Sequence, residues 1–273
     1  MPASPNPPAP SEVRAALRAA VLTASLLLAV LQAAAVAASL ETIQQRRYLI
    51  VGVKDNLYPL GFRDERGELA GFEIDLARTL AEALFADRTA IQLVPVRNRD
   101  RLEALEKQHV DLVIANLSIG VPRARAVDFS FPYLTVNQAV LLKRESTLRT
   151  LSDLQRVRLA VLSGSSNERA IRAFLPGAGL VPVASYQEGV QALETGRADG
   201  FAADGTVLGG WVQDRPAYRL LSSELDTSGL AVAMPRGLQN DSLRRWVNGQ
   251  IERLLKQGWL AERARIWGLK GRS

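Results

Sequence analysis

Two stretches of the chain end in polar side chains at matched positions. Ala104-Leu105-Glu106 is followed by Asp111 and then by Leu112-Val113-Ile114-Ala115, which runs into Asn116. Ala192-Leu193-Glu194 is followed by Asp199 and then by Gly200-Phe201-Ala202-Ala203, which runs into Asp204. The aspartate comes seven positions after the alanine in both copies, and the polar residue five positions after that aspartate. Each copy reads as helix, turn, strand, with a polar group at the strand's C-terminal end. In open α/β sheets that is the end outside which ligands bind. Two such ends facing one another would make a cleft holding Asn116 and Asp204. Ser165 and Ser166 follow Gly164 where a helix begins. Free backbone N–H groups and the positive helix end there suit a carboxylate. The same serines suit N-capping, and both roles can coexist. Arg123 follows Pro122. A guanidinium offers parallel donors to a carboxylate, although on residue type alone a surface arginine reads as well, and Arg125 reads as one.

Other chemistries lack their residues. The 273 residues include no cysteine and one histidine, His109. Thiol catalysis, disulfides, thiolate zinc sites and iron–sulfur clusters are excluded, and a Ser-His-Asp triad or His-rich metal site is disfavoured. His109 sits in a helix–strand turn and reads as a surface residue. Glu73 and Asp75 read as dipole partners at a helix start. No cofactor is expected. The net charge of +6, with 34 basic against 28 acidic residues, lacks the dense basic stripe of a nucleic-acid binder. Hydrophobic residues at 47% and charged residues at 23% fit a globular chain.

The elements that would position these groups alternate. Leu49 to Val53, Ile91 to Val96, Asp111 to Ala115, Arg158 to Leu162, Phe201 to Ala203 and Leu230 to Met234 read as strands. Ile74 to Leu84 has apolar residues at 74, 76, 77, 80, 81 and 84, the spacing of a helix. Asp100 with Glu103, and Ser185 with Glu188, resemble capping boxes. Ser165 to Phe174 reads as a helix, and Asp241 as the cap of a last long helix with Leu243, Val247, Ile251, Leu254 and Leu255 on one face. Strand–helix alternation implies an α/β fold with mostly parallel sheets.

The first 37 residues read as an address. Arg14 and Arg18 precede an apolar run from Val21 to Ala37, which ends in Ala35-Val36-Ala37, an A-x-A cleavage pattern. An uncleaved membrane anchor is the competing reading. Cleavage removes Arg14, Arg18 and Glu12 and leaves a soluble, exported chain.

Residues 45–269 resemble the amino-acid-type periplasmic solute-binding proteins of ABC importers. The resemblance rests on Gly71-Phe72-Glu73-Ile74-Asp75-Leu76 and on Asp111 through Gly120, leading into Pro122-Arg123 and ending at Asp128-Phe129-Ser130-Phe131-Pro132-Tyr133. It also rests on Val161-Leu162-Ser163-Gly164-Ser165-Ser166 and on Gly196-Arg197-Ala198-Asp199-Gly200 with Asp204. It implies a two-lobed α/β fold of the type II periplasmic-binding-protein kind, with two doubly wound sheets joined by two hinge strands near 136–140 and 229–235. Lobe 1 would comprise 38–138 and 233–273, and lobe 2 would comprise 139–232. The implied protein is a periplasmic monomer that closes around a small amino acid and docks on an inner-membrane ABC permease.

On that resemblance, Arg123 matches the family's carboxylate-binding arginine and Asp204 its acceptor for the α-ammonium. Ser118, Ser165, Ser166 and backbone groups of Asn116 are further partners. The positions where relatives place aromatic residues around cationic or amide side chains correspond to Leu57 and Asn98. Lys54 and Arg101 fall where binders of acidic amino acids place cations, with Arg97 and Arg99 as register alternatives to Arg101. Glutamate or aspartate is therefore the favoured ligand, with glutamine or another polar amino acid as the alternative. From another class, an enzyme on this fold, such as a cyclohexadienyl dehydratase, is the competing reading, although no unassigned acid–base pair stands inside the motifs.

Overall fold

The computed structural model describes residues 39–212 and 215–269, with the backbone alone for 222–226. The expected leader, 1–37, lies outside the described residues. In chain order the elements are α1 (Leu40–Arg46), β1 (Leu49–Val53), β2 (Asn56–Leu57), β3 (Gly61–Arg63), β4 (Leu69–Ala70), α2 (Phe72–Phe85), β5 (Ile91–Pro95), α3 (Arg101–Glu106) and β6 (Leu112–Ile114). A 3-10 turn (Arg123–Arg125) then leads into the long strand β7 (Val127–Lys143). After it come β8 (Arg158–Leu162), α4 (Ser166–Phe174), β9 (Gly179–Val183), α5 (Tyr186–Glu194), β10 (Gly200–Asp204), α6 (Gly205–Val212), the second long strand β11 (Tyr218–Pro235), α7 (Asp241–Lys256) and α8 (Trp259–Ile266).

Eight strands form one sheet in the order β5-β1-β6-β11-β7-β10-β8-β9. β1 lies parallel between β5 and β6, and β8 lies parallel between β9 and β10. These two parallel sets are the halves expected from the alternating pattern. They are joined by β7 and β11, of 17 and 18 residues, which pair antiparallel and serve both sets. The two halves therefore share one hydrogen-bonded sheet. The pairing of β11 with β7 slips between Ser222 and Thr227, close to where the sheet changes halves.

Each half has its own apolar core. On one side Val51, Val53, Ile74, Leu76, Leu112, Ile114, Leu230 and Val232 pack together with the buried face of α7. On the other, Leu141, Leu162, Ala192, Leu193 and Phe201 form a second cluster. α7 contributes Leu243, Val247, Ile251 and Leu254 as expected, while Leu255 is half exposed. Each such side chain contributes about 1.5–3 kcal/mol by leaving water.

The matched aspartates have one structural job. Asp111 Oδ2 accepts from Ile50 N at 2.7 Å, and Asp111 N donates to Ile50 O at 2.8 Å. Asp199 Oδ2 accepts from Arg158 N at 2.8 Å, and Asp199 N donates to Arg158 O at 2.8 Å. Each aspartate also pairs with an arginine, Arg46 or Arg158. Both copies thus lock a strand's start to its parallel neighbour, which fixes the register that carries the other strand end to the site.

Several local expectations change. Asp100 stands at the N-cap of α3 but makes no side-chain capping bond, and Glu103 pairs instead with Lys107. Asn240, not Asp241, occupies the N-cap of α7; Asp241 is the first helical residue and binds Arg244 and Arg245. At Ser185 and Glu188 half of the capping box forms: Ser185 Oγ accepts from Glu188 N, while the Glu188 carboxylate accepts from Ala184 N, one residue ahead of the cap.

Candidate functional site

The C-terminal ends of β6 and β10 and the N-terminus of α4 converge on one small cavity. Its walls include Arg101, Asn116, Ser118, Arg123, Ser165, Ser166 and Asp204. Enclosed free space there is about 10 Å³, room for about one water and less than any amino acid fills.

Groups from the two halves meet directly across the cavity. Asn116 Nδ2 donates to Asp204 Oδ2 at 2.8 Å. Ser118 Oγ and Ser166 Oγ share a hydrogen bond of 2.9 Å. Arg123 Nη2 donates to Gly164 O at 3.0 Å, while its Nη1 donates to Ser118 O and Oγ. Ser165 caps α4 by accepting from Glu168 N, and its hydroxyl donates to Leu162 O at 2.6 Å. Ser165 thus supports the helix end, and Ser166 faces the opposite half.

Two guanidinium groups are buried at this junction. Arg101 is 2% exposed and Arg123 6%. Arg101 donates through Nε to Asn98 O and through Nη1 to Ala115 O and Asn116 O, at 3.0, 2.8 and 2.7 Å. Burial, then the charge of Arg123, pulls the Arg101 pKa down to about 10. Burial, then Arg169, does the same to Arg123, also to about 10. Both stay cationic at neutral pH. Arg97 and Arg99 are exposed, which separates them from Arg101.

Behind the cavity lies Glu73, fully buried in the first turn of α2. Its Oε1 accepts from Asn116 N at 2.8 Å and from the Tyr133 hydroxyl at 2.6 Å, and its Oε2 has no hydrogen-bond partner among the described residues. Desolvation raises the Glu73 pKa, and the two hydrogen bonds, Arg101 and Lys54 oppose the rise. Asn116 adopts φ 51°, the left-handed region. The bond from Glu73 holds its backbone there, so that the Asn116 carbonyl meets Arg101 and its amide meets Asp204.

The chain matches the family model of bacterial extracellular solute-binding proteins, family 3, over residues 49–270. The chain belongs to this family. A glutamine-binding protein of Geobacillus stearothermophilus is 30% identical over 204 residues, covering 74% of this chain and 78% of that protein. The crystal structure of a solute receptor for L-cysteine of Neisseria gonorrhoeae superposes with a TM-score of 0.79 at 27% identity, covering 84% of this chain and 93% of the receptor. The ancestral amino acid-binding protein AncCDT-1, described as a precursor of cyclohexadienyl dehydratase, has a TM-score of 0.77 at 29% identity, covering 84% and 98%.

In this family 3 solute-binding fold, seven of the eight side chains singled out from sequence line one cavity. Lys54 does not. It is buried beside the site, its Nζ donates to Val96 O at 3.1 Å, and burial followed by the charge of Arg101 lowers its pKa. Of the two positions read as lacking the aromatic sandwich, Asn98 lines the cavity and Leu57 lies in the core. Sequence reasoning missed Glu73, Asn167 and Tyr186. Glu73 carries the helix-start signature as expected, and nothing in its spacing announces the bond to Asn116. Asn167 donates to Asp204 Oδ1 at 3.1 Å, and the Tyr186 hydroxyl reaches Asp204 Oδ2 at 3.4 Å. Asn167 is readable only as the residue after the two serines of a helix start, and Tyr186 only as the first residue behind a capping serine.

Proposed function

We propose that this family 3 protein binds an acidic α-amino acid, glutamate or aspartate, in the periplasm and delivers it to an ABC permease. The observation that carries this reading is that Arg123 and Asp204, both buried, line one cavity. An α-amino acid is a zwitterion. Its carboxylate needs a guanidinium and helix-end donors, supplied by Arg123, Ser118 and Ser166 with the start of α4. Its ammonium needs a carboxylate, supplied by Asp204.

The charge of the surroundings selects the side chain. Lys54, Arg101 and Arg123 stand against Glu73 and Asp204, leaving one positive charge in excess when all are ionised. A neutral amino acid leaves that excess buried, whereas glutamate or aspartate cancels it. Arg101 is the cation on the cavity wall, and Lys54 acts on it from behind. Glutamine is the second reading, favoured by the carbonyls that already occupy Arg101 Nε and Nη1.

Binding proceeds by closure. The segments 38–138 with 233–273, and 139–232, move as two lobes about strands near 136–140 and 229–235. The ligand stabilises the closed state through contacts to both lobes. The leader, 1–37, directs export. The protein acts as a monomer and as a carrier rather than an enzyme.

Calorimetric titration with glutamate, aspartate and glutamine tests the reading. Micromolar affinity for an acidic amino acid, about −8 kcal/mol, with its preference over glutamine lost in Arg101→Met, supports it. Tight binding of glutamine and none of either acid overturns the acidic assignment. Turnover of prephenate or arogenate overturns the assignment as a carrier.

A further inference from the structure

Asp204 is held by amides from both halves of the molecule. Asn116 Nδ2 donates to Oδ2, and Asn167 Nδ2 donates to Oδ1. Among the described residues no arginine or lysine forms an ion pair with this carboxylate. The two amides and the Tyr186 hydroxyl, all neutral, orient it without an ion pair, which suits a carboxylate whose direct ionic partner arrives with the ligand. Each amide pays for that orientation with its own carbonyl: Asn116 Oδ1 and Asn167 Oδ1 are both buried with no hydrogen-bond partner among the described residues. Asn167 is 2% exposed and lines the same cavity as Asn116 and Asp204. Three residues that carry acceptor groups, one charged and two neutral, therefore line one cavity.

A primary ammonium has three N–H donors in a tetrahedral fan. We infer that Asn167 is a specificity-determining residue for primary amines: its Nδ2 positions Asp204, and its Oδ1 joins Asn116 Oδ1 and the Asp204 carboxylate in a three-acceptor cradle for the ligand's –NH3+. This rests on the reading that the cavity takes an α-amino acid, and it adds the requirement that the amine be unsubstituted. An N-methyl amino acid leaves one acceptor without a donor and brings a methyl group against it. A desamino acid leaves all three without a partner.

The test compares the wild-type protein with Asn167→Leu, which keeps the side chain's size and removes both polar atoms, and with Asn167→Ser. Calorimetry uses L-glutamate, N-methyl-L-glutamate and glutarate. The wild type is expected to bind L-glutamate at least about tenfold more tightly than the N-methyl compound. Asn167→Leu is expected to lose about tenfold on L-glutamate and to change little on glutarate. Equal losses on both, or a wild type indifferent to N-methylation, overturns the inference. Should the wild type prefer L-glutamine, the series is run with glutamine, N-methylglutamine and 4-carbamoylbutanoate. The acidic reading then fails, and the cradle is judged by the same split. Asn167→Ser, which keeps a hydroxyl in place of the amide, is expected to retain part of the preference for L-glutamate over glutarate that Asn167→Leu loses. Equal loss of that preference in both variants overturns the positioning role.

Discussion

Asn116 and Asp204, the residues that end the two matched sequence stretches, touch: Asn116 Nδ2 lies 2.8 Å from Asp204 Oδ2. The aspartates five positions before them tie the opposite ends of the same strands to their neighbours. The repeated spacing therefore fixes both ends of a strand, one to the sheet and one to the cavity.

The two anchoring aspartates differ in exposure, and so in their contribution. The Asp111 side chain is 3% exposed and that of Asp199 is 37%. Asp111→Ala removes a buried carboxylate and leaves the Ile50 N–H without its acceptor, and is expected to cost about 1–3 kcal/mol. Asp199→Ala removes a solvent-screened pair and is expected to cost about 1 kcal/mol or less. Urea unfolding of the two variants checks the order, and equal losses would contradict it.

Glu73 makes stability depend on pH. Its folded pKa is raised, chiefly by desolvation, from an ordinary value of 4.5. A carboxyl raised on folding contributes stability that is fully present below its unfolded pKa and is lost as pH rises through the folded one. The wild type is therefore expected to lose stability relative to Glu73→Gln from about pH 4.5 upward, until the folded carboxyl has ionised. A tenfold tighter hold on the proton in the folded state corresponds to about 1.4 kcal/mol. Denaturant midpoints of both proteins between pH 4 and 8 measure the difference, and parallel pH profiles would refute the assignment.

Gly71 joins fold to site. Its φ is 128°, and a methyl group there would overlap the Leu60 carbonyl oxygen. That same oxygen accepts from Glu73 N at 2.8 Å. Gly71→Ala is expected to cost about 1–3 kcal/mol of stability, and to weaken ligand binding because Glu73 shifts and Asn116 follows. Thermal unfolding and calorimetry on one preparation read both. Loss of stability with unchanged affinity would uncouple the two.

Much of this architecture is legible in the sequence because periodicity and capping are local. α2, α4, α5 and the buried face of α7 follow from spacing and from the serines ahead of α4 and α5. The long strands do not. From sequence β11 reads only as Leu230 to Met234, because its first part alternates little and draws its pairing from β7, far away along the chain. Arg101 is legible through the family resemblance, and its burial against three carbonyls separates it from Arg97 and Arg99. Glu73 and Asn167 are not legible as site residues. Their roles depend on which backbone or side chain the tertiary fold brings opposite them. Lys54 shows the reverse: the sequence marks the position, and the fold turns its ammonium to Val96 O.

Everything proposed for the cavity depends on Arg123 and Asp204 holding the two ends of one zwitterion. Calorimetric titration of the wild type, Arg123→Ala and Asp204→Ala with the twenty amino acids measures this directly, with circular dichroism confirming that both variants fold. Saturable binding of an α-amino acid by the wild type, weakened at least about a hundredfold in each variant, is the predicted result. Unchanged affinity in both variants, or no binding of any amino acid by the wild type, would contradict it.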